Sequence, residues 1–174
     1  MPGTEKIKSA IERSTKALTL KPSLGLGTGK STTRIKNGLT CEIQEGNWKV
    51  LADMPESVGG NAQGPTPGVY GRAALGSCLA IGYMMKAATM NIPITMLEVE
   101  VQADYDDGAL LGTSTVAPGY TEVRYTITIE SESAEEDILK MIDDADQHSP
   151  YLDIFSNPQN CKRKVNIVSP KLQS

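Results

Sequence analysis

The residue with the most distinctive chemistry is a cysteine inside the longest apolar stretch of the chain. Cys78 lies within residues 64–90, GPTPGVYGRAALGSCLAIGYMMKAATM. A cysteine that ionises is a nucleophile and a redox group, whereas a buried neutral cysteine serves as a small apolar core residue. Both interpretations are open from the sequence, and an accessible, ionised thiol would favour chemistry.

Other groups that could do chemistry are sparse. The three cysteines, at positions 41, 78 and 161, do not have metal-ligand spacing, and His148 is the single histidine. Structural zinc sites need about four cysteine or histidine ligands, and a Ser-His-Asp triad needs a histidine of its own. We therefore expect no metal and no cofactor.

The pattern around Cys78 predicts a long buried helix that positions the thiol. Thr66 suits the N-cap and Pro67 the first helical position. Because Arg72 and Lys86 alone interrupt its apolar surface, the helix must be buried. Cys78 lies about three turns, roughly 16 Å, beyond the helix start. The helix dipole acts only near the end of a helix, so an ionised Cys78 needs a cation supplied by folding.

Alternating residues predict strands in two groups and, with the helices, an α+β fold. Strict alternation of apolar and polar residues is typical of antiparallel sheets that are covered on one face. The predicted strands lie in a hairpin within residues 32–52 and over residues 97–105, 123–129 and 161–168.

Helical spacing predicts three further helices. Residues 4–18 form a peripheral amphipathic helix, which a Gly-rich linker follows. Ser133–Glu136 has the form of a capping box, and a short helix follows Pro150. The helix after the capping box has an apolar stripe of Ile138, Leu139, Ile142 and Ala145. We divide the chain into an N-terminal helix and linker, residues 1–31, and a main domain, residues 32–174.

Two motifs resemble those of a known protein family. Residues 59–60 (GG), 64–67 (GPTP) and 73–80 (AALGSCLA) resemble the first cysteine motif of the OsmC/Ohr family, the osmotically inducible and organic hydroperoxide resistance proteins. Residues 148–151 (HSPY) resemble the second motif, in which a cysteine precedes proline at the start of a short helix. With the strands between them, the resemblance covers about residues 32–168 and identifies a divergent OsmC-like member.

The resemblance implies a fold and a partner. It implies an OsmC-like fold, with antiparallel sheets packed around a long buried central helix. It also implies an intertwined homodimer with two active sites at the subunit boundary. The apolar helix supports a dimer only indirectly, because its surface is large for one chain to cover.

The resemblance also implies a reaction. In the family's peroxidases the first cysteine attacks the O–O bond of an organic hydroperoxide as the thiolate, and the second closes a disulfide that is later reduced. Cys78 matches the first position. An arginine of the first hairpin activates that thiol, and the best candidate here is Arg34, with Lys36 as the alternative.

This chain departs from the family pattern at two positions. Ser149 stands where the second cysteine belongs and cannot form the resolving disulfide. Gly68 stands where the hydroperoxide resistance branch has the glutamate that holds the arginine. Ser149 before Pro150 also suits the N-cap of a short helix. His148 and Tyr151 are candidate site-lining residues, although a lone histidine at a helix start is more commonly a surface residue.

Two functions follow for Cys78. The first is a degraded or one-cysteine thiol peroxidase of the oxidative stress response, whose sulfenate an external thiol reduces. The alternative is a non-enzymatic protein that binds a small hydrophobic ligand at the dimer boundary. Cys161, and less favourably Cys41, is a candidate substitute for the resolving cysteine, but both are more simply structural thiols.

Composition restricts the remaining partners and the location. The net charge of −4 argues against nucleic-acid binding, which depends on neutralising phosphates. The N-terminal residues are charged throughout, and the longest apolar run is interrupted by Lys86 and short for a bilayer. Three scattered cysteines fit a reducing compartment. We therefore expect a cytoplasmic protein without nucleic-acid or membrane partners.

Overall fold

The computed structural model describes residues 3–169, and its α+β architecture is the one that the sequence predicts. A three-stranded and a two-stranded sheet, both antiparallel, accompany a central helix. In chain order the described α-helices and β-strands are α1 (Thr4–Leu20), β1 (Thr32–Asn37), β2 (Thr40–Glu45), β3 (Trp48–Ala52), α2 (Pro67–Met90), β4 (Met96–Asp104), α3 (Asp107–Leu111), β5 (Glu122–Glu130), α4 (Glu135–Gln147) and α5 (Pro150–Ser156).

The first sheet is a meander of β1, β2 and β3. Ile35 pairs with Cys41, and Ile43 pairs with Val50, so these side chains share one face because alternate residues of a strand point the same way. That apolar face is open in the single chain, with Ile35 66% exposed and Trp48 80% exposed.

The sequence predicts a two-stranded hairpin in this region, but the sheet has three strands. Gly38 adopts a left-handed φ of 56°, and the chain turns there between β1 and β2. Leu39, which we expected on the apolar strand face, lies in this turn and is 43% exposed.

The second sheet, β4 with β5, confirms the predicted alternation. The two strands pair in register from Met96 opposite Glu130 to Asp104 opposite Glu122. One face packs against the buried core, and the other faces solvent. The core-facing residues are Leu97, Val99, Val101, Val123, Tyr125, Ile127 and Ile129.

Helix α2 supplies the centre of the core, as the sequence predicts. Leu75, Leu79 and Tyr83 are at most 1% exposed and form one cluster with Met141 of α4. Burial of side chains of this size stabilises the fold by about 1.5–3 kcal/mol each.

The opposite side of α2 is not buried in the single chain. Val69, Ala73, Ser77, Ile81 and Met85 recur every fourth residue and are all exposed, Ile81 at 60%. Residues four apart lie above one another on a helix, so these five form a continuous stripe. The prediction of a helix buried on all sides is therefore met on one side only.

By length and composition alone, α2 is long and apolar enough to cross a membrane. This differs from the sequence-based expectation, in which Lys86 made the apolar run too short. Lys86 instead pairs with Asp144 of α4, with Nζ 2.8 Å from Oδ2. A core helix can have the same length and composition, and the buried face of α2 packs as one.

A buried aspartate fixes the loop between β3 and α2. Asp53 is 1% exposed, and its carboxylate accepts hydrogen bonds from the Thr40 hydroxyl at 2.6 Å and from the N–H groups of Met54 and Gln63 at 2.7 and 3.2 Å. The bond from Thr40 is the largest of the effects that lower the pKa of Asp53. Gly60 is required in this loop because a Cβ there would collide with the Met54 carbonyl oxygen.

Helix α1 packs along α2. It ends at Leu20 rather than at the predicted Leu18, and Lys8 Nζ donates to Asn91 Oδ1 at 2.7 Å, just beyond the end of α2. The division of the chain at residue 31 stays a prediction.

Three sequence predictions are wrong in detail. Residues 158–169 have neither helix nor strand and are exposed, so no last strand forms in the single chain. Ala134, not Ser133, is the N-cap of α4, and α4 has no side-chain hydrogen bond at its cap. Leu139 is 52% exposed, since the buried face of α4 passes through Met141 instead.

Candidate functional site

Helices α2 and α5 bring Cys78 and Ser149 together. Cys78 lies near the middle of α2, and Ser149 immediately precedes α5. The Cys78 Sγ and Ser149 Oγ atoms are 3.6 Å apart, which is within hydrogen-bonding distance for sulfur. Ser149 is 8% exposed, whereas Cys78 is half-buried and keeps part of its surface in contact with solvent.

Ser149 is also the N-cap that the sequence predicts for α5. Its Oγ accepts a hydrogen bond from the Leu152 N–H at 3.4 Å, and Pro150 occupies the first turn. The Ser149 N–H donates to the Asp146 carbonyl oxygen at 3.2 Å. Since the hydroxyl already accepts from Leu152, its single proton is free to point at the Cys78 sulfur.

A group of three polar side chains that the sequence analysis missed lies between α2, α4 and β5. The hydroxyls of Tyr83 and Tyr125 donate to the two carboxyl oxygens of Asp146, at 2.7 and 2.9 Å. The signal available in the sequence was Tyr83 itself, because a tyrosine in an otherwise apolar helix needs a partner for its hydroxyl.

His148 and Tyr151 lie beside Ser149 in sequence but toward the surface. The His148 side chain is 71% exposed, and its Nδ1 lies 2.7 Å from the Asp144 carbonyl oxygen and 3.2 Å from Asp144 Oδ1. Tyr151 is 41% exposed. Among the described hydrogen bonds, none joins either residue to Cys78.

Arg34 lies on the polar face of the first sheet. Arg34 of β1 is opposite Glu42 of β2. Its neighbour Ile35 points to the apolar face, so the Arg34 side chain points to the other face of the sheet. Lys36 shares the polar face and forms an ion pair with Glu42 at 3.8 Å. No hydrogen bond or ion pair within residues 3–169 connects Arg34 or Lys36 with Cys78.

Arg72 occupies the space beside Gly68 at the start of α2. A Cβ at Gly68 would lie 3.5 Å from Arg72 Nη1, and the Tyr120 hydroxyl donates to the Gly68 carbonyl oxygen at 3.1 Å. The Tyr120 ring stacks on Phe155 of α5, with 6.1 Å between ring centroids. A cation of α2 itself, Arg72, thus lies beside Gly68.

The other two cysteines occupy different environments. Cys41 is half-buried in β2, and Cys161 is exposed within residues 158–169. All three cysteines are free. In the part of the chain that the structure describes, no three His, Cys, Asp or Glu residues are placed to hold a metal ion.

An apolar groove runs between α1 and α2. It has a volume of about 420 Å³. Its lining residues are Ile7, Ala80, Ile81, Met84, Met85 and Leu97. The groove adjoins the exposed stripe of α2, with which it shares Ile81 and Met85.

Comparison with known proteins identifies the family of the chain. A family model described as OsmC-like protein matches residues 59–164, which is more than half of the chain. The chain therefore belongs to the OsmC-like protein family. The match begins after the first sheet and is narrower than the resemblance noted above. A search among curated proteins found no match.

Solved structures of this family have the same fold. An OsmC-like protein from Mycoplasma pneumoniae has a TM-score of 0.64 and 18% identity, covering 75% of this chain and 88% of its own. An organic hydroperoxide resistance protein OsmC from Legionella pneumophila has a TM-score of 0.53 and 15% identity, with coverage of 74% and 89%. An organic hydroperoxide resistance protein from Elizabethkingia anophelis has a TM-score of 0.53 and 18% identity, with coverage of 74% and 87%. At these identities the likeness concerns the fold alone.

Proposed function

We propose that this protein is a one-cysteine thiol peroxidase of the oxidative stress response that reduces organic hydroperoxides slowly at Cys78. The observation that carries the proposal is the 3.6 Å contact between Cys78 Sγ and Ser149 Oγ. It pairs the half-buried thiol with a hydroxyl at the position of the family's second cysteine. Family membership and the hydroperoxide resistance proteins among the structural relatives support the substrate class.

Ser149 can donate a hydrogen bond to the attacking sulfur of Cys78 in this proposal. A neutral thiol either donates to a hydroxyl or accepts from it, but a thiolate only accepts. The Ser149 hydroxyl accepts from Leu152 N–H and has its proton available for the sulfur.

The reaction consists of two steps. The Cys78 thiolate attacks one peroxide oxygen, an S–O bond forms as the O–O bond breaks, and the departing alkoxide takes a proton from water to become an alcohol. Cys78 is then a sulfenic acid. A low-molecular-weight thiol displaces its oxygen as water and leaves a mixed disulfide, which a second such thiol reduces.

Arg34 is the proposed activating cation. Its support is the resemblance to the family, with Lys36 as the alternative on the same face of the sheet. A cation beside a thiol favours the thiolate.

We also propose that the protein is an intertwined homodimer. The exposed stripe of α2 and the open apolar face of the first sheet are two surfaces that one chain leaves uncovered, with Ile81 60% and Ile35 66% exposed. Apolar patches of this kind mark interaction sites. A cytoplasmic location is part of the proposal, because three free cysteines suit a reducing compartment.

The decisive experiment compares hydroperoxide consumption by the wild type and by Cys78→Ser, with a monothiol as the reductant. We expect slow turnover that Cys78→Ser abolishes, and sulfinic acid that accumulates at Cys78 of the wild type. Cys161→Ser is measured in parallel, and it should turn over like the wild type unless this exposed cysteine resolves Cys78. Fast turnover without sulfinic acid would show that another thiol resolves Cys78 efficiently.

The alternative function is the binding of a small hydrophobic ligand. The apolar groove of about 420 Å³ between α1 and α2 favours it. Equal and negligible peroxide consumption by the wild type and Cys78→Ser would support this function over catalysis.

A further inference from the structure

The half-buried carboxyl group of Asp146 has two phenolic partners from different elements. Tyr83 of α2 donates to Oδ1 at 2.7 Å, and Tyr125 of β5 donates to Oδ2 at 2.9 Å. Tyr83 is fully buried, and Asp146 and Tyr125 are half-buried. One carboxyl group thus joins three elements of the core.

Both tyrosines act as donors over the physiological pH range. Burial, with the hydrogen bond to Asp146, raises the pKa of Tyr125 to about 12. The same causes raise the pKa of Tyr83 further. Each phenol therefore keeps the proton that it donates to Asp146.

Asp146 is linked to both members of the Cys78–Ser149 pair, through its carboxyl group on one side and its backbone carbonyl oxygen on the other. Tyr83 follows Cys78 by little more than one turn of α2, so its position fixes that part of the helix. The Asp146 carbonyl oxygen accepts the N–H of Ser149 at 3.2 Å. Asp146 thus links the helix that carries the thiol with the residue that carries the hydroxyl.

The other polar link between α2 and α4 is more exposed. Lys86 pairs with Asp144 at 2.8 Å, and their side chains are 28% and 41% exposed. Ion pairs at such sites contribute little to stability because water and salt screen them. Hydrogen bonds between buried groups are less easily exchanged for water.

We propose that Asp146, together with the hydroxyls of Tyr83 and Tyr125, is a positioning residue that holds Ser149 Oγ against Cys78 Sγ. Its catalytic importance rests on the function proposed for Cys78. Its geometric effect does not, and this effect can be measured without peroxide.

The experiment uses Ser149→Cys as a reporter of the distance between the two positions. In this variant, Cys78 and the introduced cysteine can form a disulfide that exchanges with reduced and oxidised glutathione. The equilibrium constant of this exchange gives the effective concentration of one thiol toward the other, which rises as the two are held closer together. Peptide mapping distinguishes their disulfide from any that includes Cys41 or Cys161. Tyr83→Phe and Tyr125→Phe each remove one hydroxyl and keep the aromatic ring in place.

We expect each phenylalanine substitution to lower the effective concentration several-fold, and the two together to lower it about tenfold or more, because each removes one hydrogen bond that holds Asp146 against a neighbouring element. Asp146→Asn should behave like a single substitution because its amide nitrogen cannot accept a tyrosine proton. The matched control is Asp143→Asn, at an exposed residue that forms none of the described hydrogen bonds or ion pairs, and it should leave the equilibrium unchanged.

The proposal is overturned if both single tyrosine variants and Asp146→Asn stay within about twofold of Asp143→Asn, a difference of roughly 0.4 kcal/mol. If the double variant does not fold, the single variants decide. If the wild type has no peroxidase activity but the tyrosine and Asp146 substitutions shift the disulfide equilibrium of Ser149→Cys, the peroxidase function is rejected and the positioning role is supported. If the wild type is an active peroxidase but these substitutions leave that equilibrium unchanged, the peroxidase function is supported and the positioning role is rejected.

Discussion

Cys78 Sγ lies 3.6 Å from Ser149 Oγ, although 71 residues separate the two along the chain. The N-cap of α5 places the hydroxyl, and the long buried face of α2 places the thiol. Two cysteines this close could form a disulfide, whereas a cysteine and a serine cannot. The consequences of that difference are measurable.

Ser149→Cys should restore a redox-active pair. An S–S bond is about 2.0 Å long, so a small rotation of either side chain converts a 3.6 Å contact into a disulfide. After treatment with a hydroperoxide, we expect peptide mapping to find Cys78 bonded to the new cysteine. Ser156→Cys, at the other end of α5, is the matched control and should give no bond with Cys78. Free thiols alone, or sulfinic acid at Cys78, would reject the proposed geometry.

Ser149→Ala should destabilise the protein even where no peroxide is present. The substitution removes the side chain that accepts the Leu152 N–H at the start of α5. Loss of such an N-cap lowers the free energy of unfolding by about 1 kcal/mol. Urea denaturation measures the effect, and Ser156→Ala, at the last residue of the same helix, should change stability far less. Equal effects of the two substitutions would argue against the cap.

The sequence predicts those parts of the fold whose signals are local. The alternation in β4 and β5, the start of α2 at Pro67, and the N-cap at Ser149 each depend on residues close together in the chain. The family motifs add the pairing of Cys78 with residue 149, which no local pattern contains.

Contacts between distant residues account for what the sequence analysis missed. Asp146 binds Tyr83 and Tyr125, which lie 63 and 21 residues away, and no periodicity relates the three. The predicted last strand has the residue types of a strand, but residues 158–169 pair with no strand of the described chain. A strand needs a neighbouring edge, and its own sequence does not supply one.

Asp53 should make the stability of the protein depend on pH in acid. Its hydrogen bonds, that of Thr40 foremost, lower the pKa of Asp53 below the ordinary value of 3.8. A lowered pKa in the folded state adds stability that is present above the unfolded pKa and is lost as pH falls through the folded one. The free energy of unfolding should therefore fall below about pH 4, and fall less steeply in Asp53→Asn. Equal slopes for the two proteins would contradict this assignment.

Tyr125 should produce the opposite dependence in alkali. Its pKa rises from 10.0 to about 12 in the folded protein, so the unfolded chain releases the phenolic proton first. Stability from this hydroxyl is present below the unfolded pKa and is lost as pH rises from about 10 to 12. Urea denaturation across this range should show a shallower decline in Tyr125→Phe. A decline as steep as that of the wild type would show that Tyr125 does not cause this loss of stability.

Ile81→Glu should disrupt the proposed homodimer. Ile81 is 60% exposed in the α2 stripe, where a carboxylate would be buried without a partner if two chains meet there. We expect sedimentation velocity to show a dimer for the wild type and a shift toward monomer for this variant. Leu139→Glu is the matched control, because Leu139 is 52% exposed on α4 and away from the stripe, and it should remain dimeric. A monomeric wild type at micromolar concentration, or a variant that dimerises as strongly as the wild type, would reject this interface.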